Sequence, residues 1–155
     1  MNKDGLFYLA FALIIGITAF IIIPKLLYKK FLLYGLVFGG IADAIIANVC
    51  TITGIIRYNG FGAFGLIDTY SILTPITWTF AFMLFFYFLP VRKGFLIVYI
   101  LGWSAINYSV GIVMQNLHLF SYLGIGLYIA PIIFIVWYSI SAYVFRRYEQ
   151  KIQLS

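Results

Sequence analysis

Residues 31–56 read FLLYGLVFGGIADAIIANVCTITGII, an apolar run with a single acid, Asp43, near its middle. A helix needs ~20 predominantly apolar residues to cross the hydrocarbon core of a bilayer. This run has that length and contains no lysine or arginine. The sequence therefore predicts a membrane-spanning helix with a carboxyl group deep inside it.

Four similar runs lie outside this one, at residues 5–27, 67–90, 95–117 and 119–145. The chain has 155 residues, of which 65% are hydrophobic and 9% are charged. Soluble domains carry ~25% charged residues, so lipid is the solvent that fits this composition. We expect an all-α polytopic membrane helix bundle with five transmembrane helices, forming a single transmembrane domain over residues 1–155.

The connections between the runs are short, and the one between the fourth and fifth runs has the weakest signal. Gln115, Asn116 and His118 lie there, without any lysine or arginine. A single helix over residues 95–145 would be ~75 Å long, which is far more than one bilayer. We therefore expect a tight turn at His118.

Lysine and arginine concentrate on one side of the predicted bundle. Of the ten basic residues, only Lys3 and Arg57 fall on the opposite side. Cytoplasmic loops carry an excess of basic residues, so we expect the N-terminus outside and the C-terminus inside. Basic groups at the ends of apolar runs favour contact with anionic lipid headgroups at the cytoplasmic face rather than with nucleic acid. The larger group consists of Lys25, Lys29, Lys30, Arg92, Lys93, Arg146, Arg147 and Lys151.

Asp43 shares one face of its predicted helix with small residues. Gly35, Gly39, Asp43 and Ala47 recur at a spacing of four. An ionised carboxylate at the bilayer centre costs ~3 kcal/mol on insertion scales, so the side chain should face protein or water. Small residues let another helix approach closely. We expect Asp43 to lie in a tight seam between helices.

The fourth predicted helix carries a polar stripe that offers Asp43 a partner. Its members recur at spacings of three and four, which places them on one helical face. Asn107 lies at the middle of the run, so we expect it to hydrogen-bond with Asp43. On the third predicted helix, Asp68 and Trp78 lie along one face. The stripe consists of Ser104, Asn107, Tyr108, Gly111 and Gln115.

Two interpretations of these polar groups remain open. In the first they hold the helices together, each hydrogen bond contributing ~1 kcal/mol or less. In the second they form a proton, ion or ligand site at the membrane midplane. An amide or hydroxyl would hold helices together at lower cost than an acid, which supports the second interpretation. The candidate binding residues are Asp43, Asn107, Ser104, Gln115, Asp68 and Trp78, and the candidate packing residues are Gly35, Gly39, Ala47 and Gly111.

These patterns favour a non-enzymatic membrane protein that binds or passes a small solute or ion, assembled as a homo-oligomer or within a larger complex. The alternative is a structural or assembly subunit that binds a partner membrane protein through Gly35 and Gly39. A third possibility is an enzyme acting on lipid, which would need Asp68 and His118 together. His118 is the only histidine and Cys50 the only cysteine, so we expect no metal and no cofactor.

Several segments occur in the order seen in a known family. PKLL at 24–27 precedes the second predicted helix, Asp43 lies inside it, and LPVRK at 89–93 and YILGW at 99–103 follow before an aromatic helix with a basic end. With these features the chain resembles an uncharacterised family of small multi-pass membrane proteins from spore-forming Gram-positive bacteria. The resemblance implies a bacterial cell-membrane location and supplies no activity. Family members carry an acid on the fourth helix where this chain has Asn107, so ion-coupling chemistry is not implied.

Overall fold

A computed structural model describes residues 3–59, 65–66 and 70–153 of the chain. The described residues form a helical bundle with two short antiparallel β ribbons. The helices are α1 (Lys3–Ile22), α2 (Tyr28–Gly35), α3 (Ala42–Ile52), α4 (Leu73–Tyr87), α5 (Lys93–Asn116) and α6 (Gly126–Gln153). The strands are β1 (Ile56–Tyr58), β2 (Gly65–Leu66), β3 (Tyr70–Ser71) and β4 (Phe120–Tyr122).

The described helices have the length and apolar surface expected of membrane spans. Large apolar side chains point outward along them, such as Ile21 at 78% exposed and Ile52 at 82% exposed. A continuous apolar exterior of this kind suits lipid rather than water. Four helical stretches are long and apolar enough to cross a membrane: Gly5–Ile22, Lys25–Ile52, Lys93–Asn116 and Gly126–Glu149. The all-α class and the presence of several such helices are thus confirmed.

The second span is a helical stretch from Lys25 to Ile52 whose winding changes along its length. Pro24 separates it from α1, so the first helix ends at Ile22 rather than continuing to residue 27 as predicted. Proline lacks a backbone donor and restricts the residue before it, which favours a helix boundary there. Between α2 and α3 the stretch widens into a π-helix over Leu36–Ile41, just before Asp43. Such segments are rare and frequently occur at functional sites.

The glycines of the second span lie directly against the backbone of α4. A Cβ atom at Gly39 would lie 2.3 Å from the carbonyl oxygen of Trp78, and one at Gly35 would lie 2.4 Å from that of Thr79. Only glycine therefore permits this approach of the two helices. We call this contact the glycine seam, and it joins two parts of the same chain.

Helix α4 is the central helix of the bundle. It is mostly apolar, as expected for a helix surrounded by others, and Phe82, Met83 and Phe85 on it are at most 1% exposed. Phe82 stacks on Tyr138 of α6 with ring centroids 5.0 Å apart. The helix is shorter than the predicted run of residues 67–90. It ends before the Leu89-Pro90 pair, and residues 67–69 lie outside the described residues.

The connection between α5 and α6 contains a turn at His118, as predicted, but contradicts the predicted helix start at residue 119. After α5 ends at Asn116, His118 adopts a left-handed conformation with φ of 60°. Strand β4 follows, and α6 begins only at Gly126. β4 pairs antiparallel with β1, placing Ile56 opposite Tyr122. The pairing gives backbone groups of both connections their hydrogen-bond partners, and hydropathy alone does not distinguish a short apolar strand from a helix.

Polar contacts bring several basic segments together at one end of the bundle. The ammonium group of Lys30, at the start of the second span, pairs with Glu149 of α6. The guanidinium group of Arg146 donates hydrogen bonds to the carbonyl oxygens of Pro90 and Val91, between α4 and α5. Three of the segments assigned to one side from the sequence therefore lie at the same end. Partly exposed ion pairs stabilise little, so these contacts mark proximity more than strength.

Candidate functional site

The helices enclose a cavity of about 250 Å³, which we call the central cavity. Side chains of α1, α3, α4, α5 and α6 line it, and residues of β1 and β4 form one wall. An apolar cavity of ~150 Å³ in another protein is large enough to bind benzene. The central cavity therefore has room for a molecule somewhat larger than one aromatic ring.

Asp43 projects into this cavity from the start of α3. It is 4% exposed, and its Oδ2 atom is buried without a hydrogen-bond partner among the described residues. Ala47 and Cys50 follow on the same helical face and line the cavity as well. An unsatisfied buried polar group costs ~1–3 kcal/mol, so its persistence calls for an explanation.

A second polar atom in the cavity wall has no partner. The Thr74 hydroxyl oxygen, on α4, is buried and makes no hydrogen bond within the described part of the chain. By contrast, the nearby Thr77 hydroxyl donates to the Leu73 carbonyl oxygen at 2.7 Å. The cavity thus presents two polar atoms, on two different helices, that no described protein group satisfies.

Asn107 also lines the cavity, but it is bonded to another residue than the one predicted. Its amide nitrogen donates to the Tyr138 hydroxyl at 2.8 Å and to the Trp103 carbonyl oxygen at 2.8 Å. No hydrogen bond joins it to Asp43, so the predicted pair is wrong. The reason is the packing of the bundle, because α5 lies against α6 whereas the second span lies against α4. The hydroxyl group of the fully buried Tyr138 accepts the hydrogen bond of the Asn107 amide instead.

Of the remaining residues of the predicted polar stripe, Ser104 and Gln115 bond to the backbone, whereas Gly111 lines the cavity. Ser104 is buried and its hydroxyl donates to the Ile100 carbonyl oxygen at 2.8 Å. The Gln115 side-chain oxygen accepts a hydrogen bond from the Tyr122 backbone at 2.9 Å and so holds β4 against α5. Gly111 leaves room for the ring of Tyr122, whose hydroxyl would lie 2.1 Å from an added Cβ.

One member of the acid–base pair considered for a lipid enzyme lies outside the described residues. Asp68 lies outside the described residues, so its distance from His118 is not defined. Among the described residues, no three histidine, cysteine, aspartate or glutamate side chains converge on a point that would hold a metal ion. The chemistry of the site therefore rests on the central cavity.

Tryptophan contributes to the cavity wall on three helices, a feature that the sequence analysis recognised only at Trp78. The chain has three tryptophans, and all of them line the cavity. The rings of Trp78 and Trp137 lie 4.8 Å apart, and the Trp137 indole nitrogen donates to the Phe38 carbonyl oxygen of the π-helix at 2.8 Å. Membrane proteins place tryptophan mainly at the interfaces. Trp103 and Trp137 lie in the middle of long apolar runs and so depart from that rule. Their position was the signal in the sequence from which this part of the wall could have been predicted.

The electrostatic character of the wall is set by one acid. Asp43 is the only acid and no lysine, arginine or histidine is present among the described residues that line the cavity. Tyr58 and Tyr122 contribute neutral phenols from the β1–β4 ribbon. Burial raises the pKa of both hydroxyl groups. The wall can attract a cation or a hydrogen-bond donor, and its described residues offer an anion no positive charge.

Comparison with known proteins leaves the function to be argued from this cavity. The resemblance to a family of small bacterial membrane proteins stays a prediction from the sequence. No family model, no curated protein and no solved structure matches the chain.

Proposed function

We propose that the chain is a non-enzymatic protein of a bacterial cell membrane that binds or passes a small solute or ion in the central cavity, with Asp43 as the polar contact. Four long spans and the shorter α4 form the five-helix membrane domain. The 15 residues of α4 measure ~22 Å, and flanking loops complete its crossing. The basic end of the bundle faces the cytoplasm and anionic lipid, with the N-terminus outside.

The observation that carries this proposal is the unpartnered Oδ2 atom of Asp43. An acid that served only to hold helices together would be expected to bond with a neighbouring helix. Asp43 instead presents this buried oxygen to a cavity large enough for a solute. Buried acids within membrane spans mark substrate and ion sites, and stability is commonly sacrificed at functional sites.

The glycine seam removes the main argument for the alternative, an assembly subunit. Gly35 and Gly39 were the residues expected to receive a partner helix. Helix α4 of the same chain already lies against them at distances that leave no space for another helix. We retain a homo-oligomer or a complex with a partner membrane protein as part of the proposal, formed through other surfaces.

Cys50 provides a test of whether solutes reach the cavity. It is the only cysteine, it lines the cavity, and it is 6% exposed. We expect the small neutral reagent methyl methanethiosulfonate to modify Cys50 in the folded protein, as measured over time by intact-protein mass spectrometry. The matched control is Cys50→Ala with Ala142→Cys, which places a thiol at a core position that is 0% exposed and does not line the cavity.

The comparison of the two rates decides the outcome. Modification of Cys50 at least tenfold faster than that of the control cysteine, at the same pH, supports an accessible cavity. Equal and slow rates, with both thiols reacting only after unfolding, would show a closed interior. That result would favour the interpretation in which Asp43 is a packing feature and would remove the proposed function.

A further inference from the structure

We infer that the solute is a small organic ammonium ion with an aromatic or other apolar body. This inference rests on the proposed function and names the chemical class that the central cavity recognises. Three features of the cavity carry it: the unpartnered carboxyl oxygen, the aromatic residues of the wall and the outer groove that shares wall residues with the cavity.

The carboxyl group selects the charged end of the ligand. A protonated primary or secondary amine donates an N–H hydrogen bond to a carboxylate, and such charge-assisted bonds are the stronger ones in proteins. Asp43 Oδ2 has the free acceptor position for this bond. The Thr74 hydroxyl, which also lacks a partner, can accept a second N–H group of the same ammonium. Asp43 and Thr74 line the same cavity, so we expect a single small cation to reach both groups.

The aromatic wall favours an organic cation over a metal ion. Cations are attracted to the faces of aromatic rings, most strongly to tryptophan, and aromatic cages bind organic ammonium ions in this way. Trp78, Trp103 and Trp137 all face the cavity. A calcium or magnesium ion instead needs about six oxygen ligands. The lining offers too few oxygens for that, since most of its residues are apolar or aromatic.

The side of the cavity between α1 and α5, which borders a groove on the outside of the bundle, indicates an apolar body. A groove on the outside of the bundle runs between these helices, lined by Phe7 and Ser109 among others. Phe11, Ile106 and Val110 line both the groove and the cavity. Ile106 is 60% exposed, so this rim faces the region that lipid would occupy. A molecule that partitions into the bilayer can reach the cavity sideways between the two helices.

The same wall argues against a lipid headgroup as the source of the ammonium. Phosphatidylethanolamine would bring a phosphate next to its amine, and no lysine, arginine or histidine is present among the described lining residues to receive it. The volume of about 250 Å³ fits one ring with a short amine-bearing chain. A free aromatic amine is therefore the occupant that the geometry supports.

Tryptophan fluorescence measures the binding directly, because all three tryptophans of the chain line the cavity. The full chain in lipid nanodiscs is titrated with three probes of similar shape: phenethylammonium, neutral 2-phenylethanol and anionic 3-phenylpropanoate. Empty nanodiscs correct for partitioning into lipid. We expect phenethylammonium to bind about tenfold to a hundredfold more tightly than the alcohol, as a hydrogen bond to a charged group implies. The anion should not bind.

Two variants assign the effect to the cavity. Asp43→Asn keeps the shape of the side chain and should abolish the preference for phenethylammonium over 2-phenylethanol while leaving binding of the alcohol intact. Thr74→Val should weaken phenethylammonium binding by a smaller factor. If phosphatidylethanolamine displaces bound phenethylammonium from the cavity, the assignment to a free amine would be overturned.

The outcomes separate this inference from the proposed function. Equal binding of the alcohol and the ammonium, or tighter binding of the anion, would overturn the ligand class while leaving a solute-binding cavity. Failure of all three probes, with Cys50 still readily modified, would likewise reject the amine and keep the proposed function. An inaccessible Cys50 together with no binding would reject both.

Discussion

Replacing Gly39 by alanine is expected to destabilise the protein by ~3 kcal/mol or more. The added Cβ would lie 2.3 Å from the carbonyl oxygen and 2.7 Å from the carbonyl carbon of Trp78. Overpacking of a core typically costs ~1–3 kcal/mol. Here the obstacle is helix backbone, which cannot rotate away as a side chain can, so the cost should reach or exceed the upper end. Total stabilities are only ~5–15 kcal/mol, so the substitution would remove a large share of the free energy of unfolding.

A matched substitution separates crowding from the general effect of removing a helical glycine. Gly102 lies in α5 with no atom within 4 Å of an added Cβ. Gly102→Ala should therefore raise stability by ~0.5–1 kcal/mol, because glycine loses more backbone entropy on folding than alanine. Denaturation in detergent micelles, followed by tryptophan fluorescence, measures both variants. Similar behaviour of the two would contradict the close contact between the second span and α4.

Replacing Asp43 by leucine is expected to raise stability by ~1–3 kcal/mol. The substitution removes a buried oxygen without a hydrogen-bond partner. Leaving such a group unsatisfied costs ~1–3 kcal/mol, so its removal should return that amount. The chain should at the same time lose its preference for cationic probes, because no other acid lines the cavity within the described residues. Opposite changes in stability and binding are the signature of a site kept for function.

The opposite result at Asp43 is equally informative. If the acid holds helices together, Asp43→Leu should lower the unfolding temperature and Asp43→Asn should recover part of the loss. Thermal unfolding of both variants beside the parent chain distinguishes the two cases. A loss of stability in both variants would support the packing interpretation left open by the sequence.

The sequence was sufficient for features that depend on periodicity and charge placement. Apolar runs predicted the long helices, and the spacing of Gly35, Gly39 and Asp43 predicted a close helix contact near the acid. These properties are encoded locally, since helical residues four apart share a face whatever surrounds them. The structure shows the contact at α4, with Trp78 and Thr79 against the glycines.

Features that depend on which helices become neighbours could not be predicted. Asn107 and Asp43 have matching depths in the sequence, but packing of α5 against α6 gives Asn107 the hydroxyl of Tyr138 instead. The depth of a residue along its span limits which residues can be its partners, but it does not determine which helix will be the neighbour. The β1–β4 ribbon was missed for a related reason. Its strands of three residues each gain their partners across a separation of more than sixty residues, which no local pattern reveals.

The central claim is that the Asp43 carboxyl group faces a cavity that water, an ion or a solute can enter, rather than packed side chains. A density map at side-chain resolution, from crystals grown in a lipid mesophase, tests it most directly. We predict density for a water molecule, ion or solute in the central cavity within hydrogen-bonding distance of Asp43 Oδ2. A map in which this oxygen bonds to a neighbouring helix, or points toward acyl chains, would contradict the account.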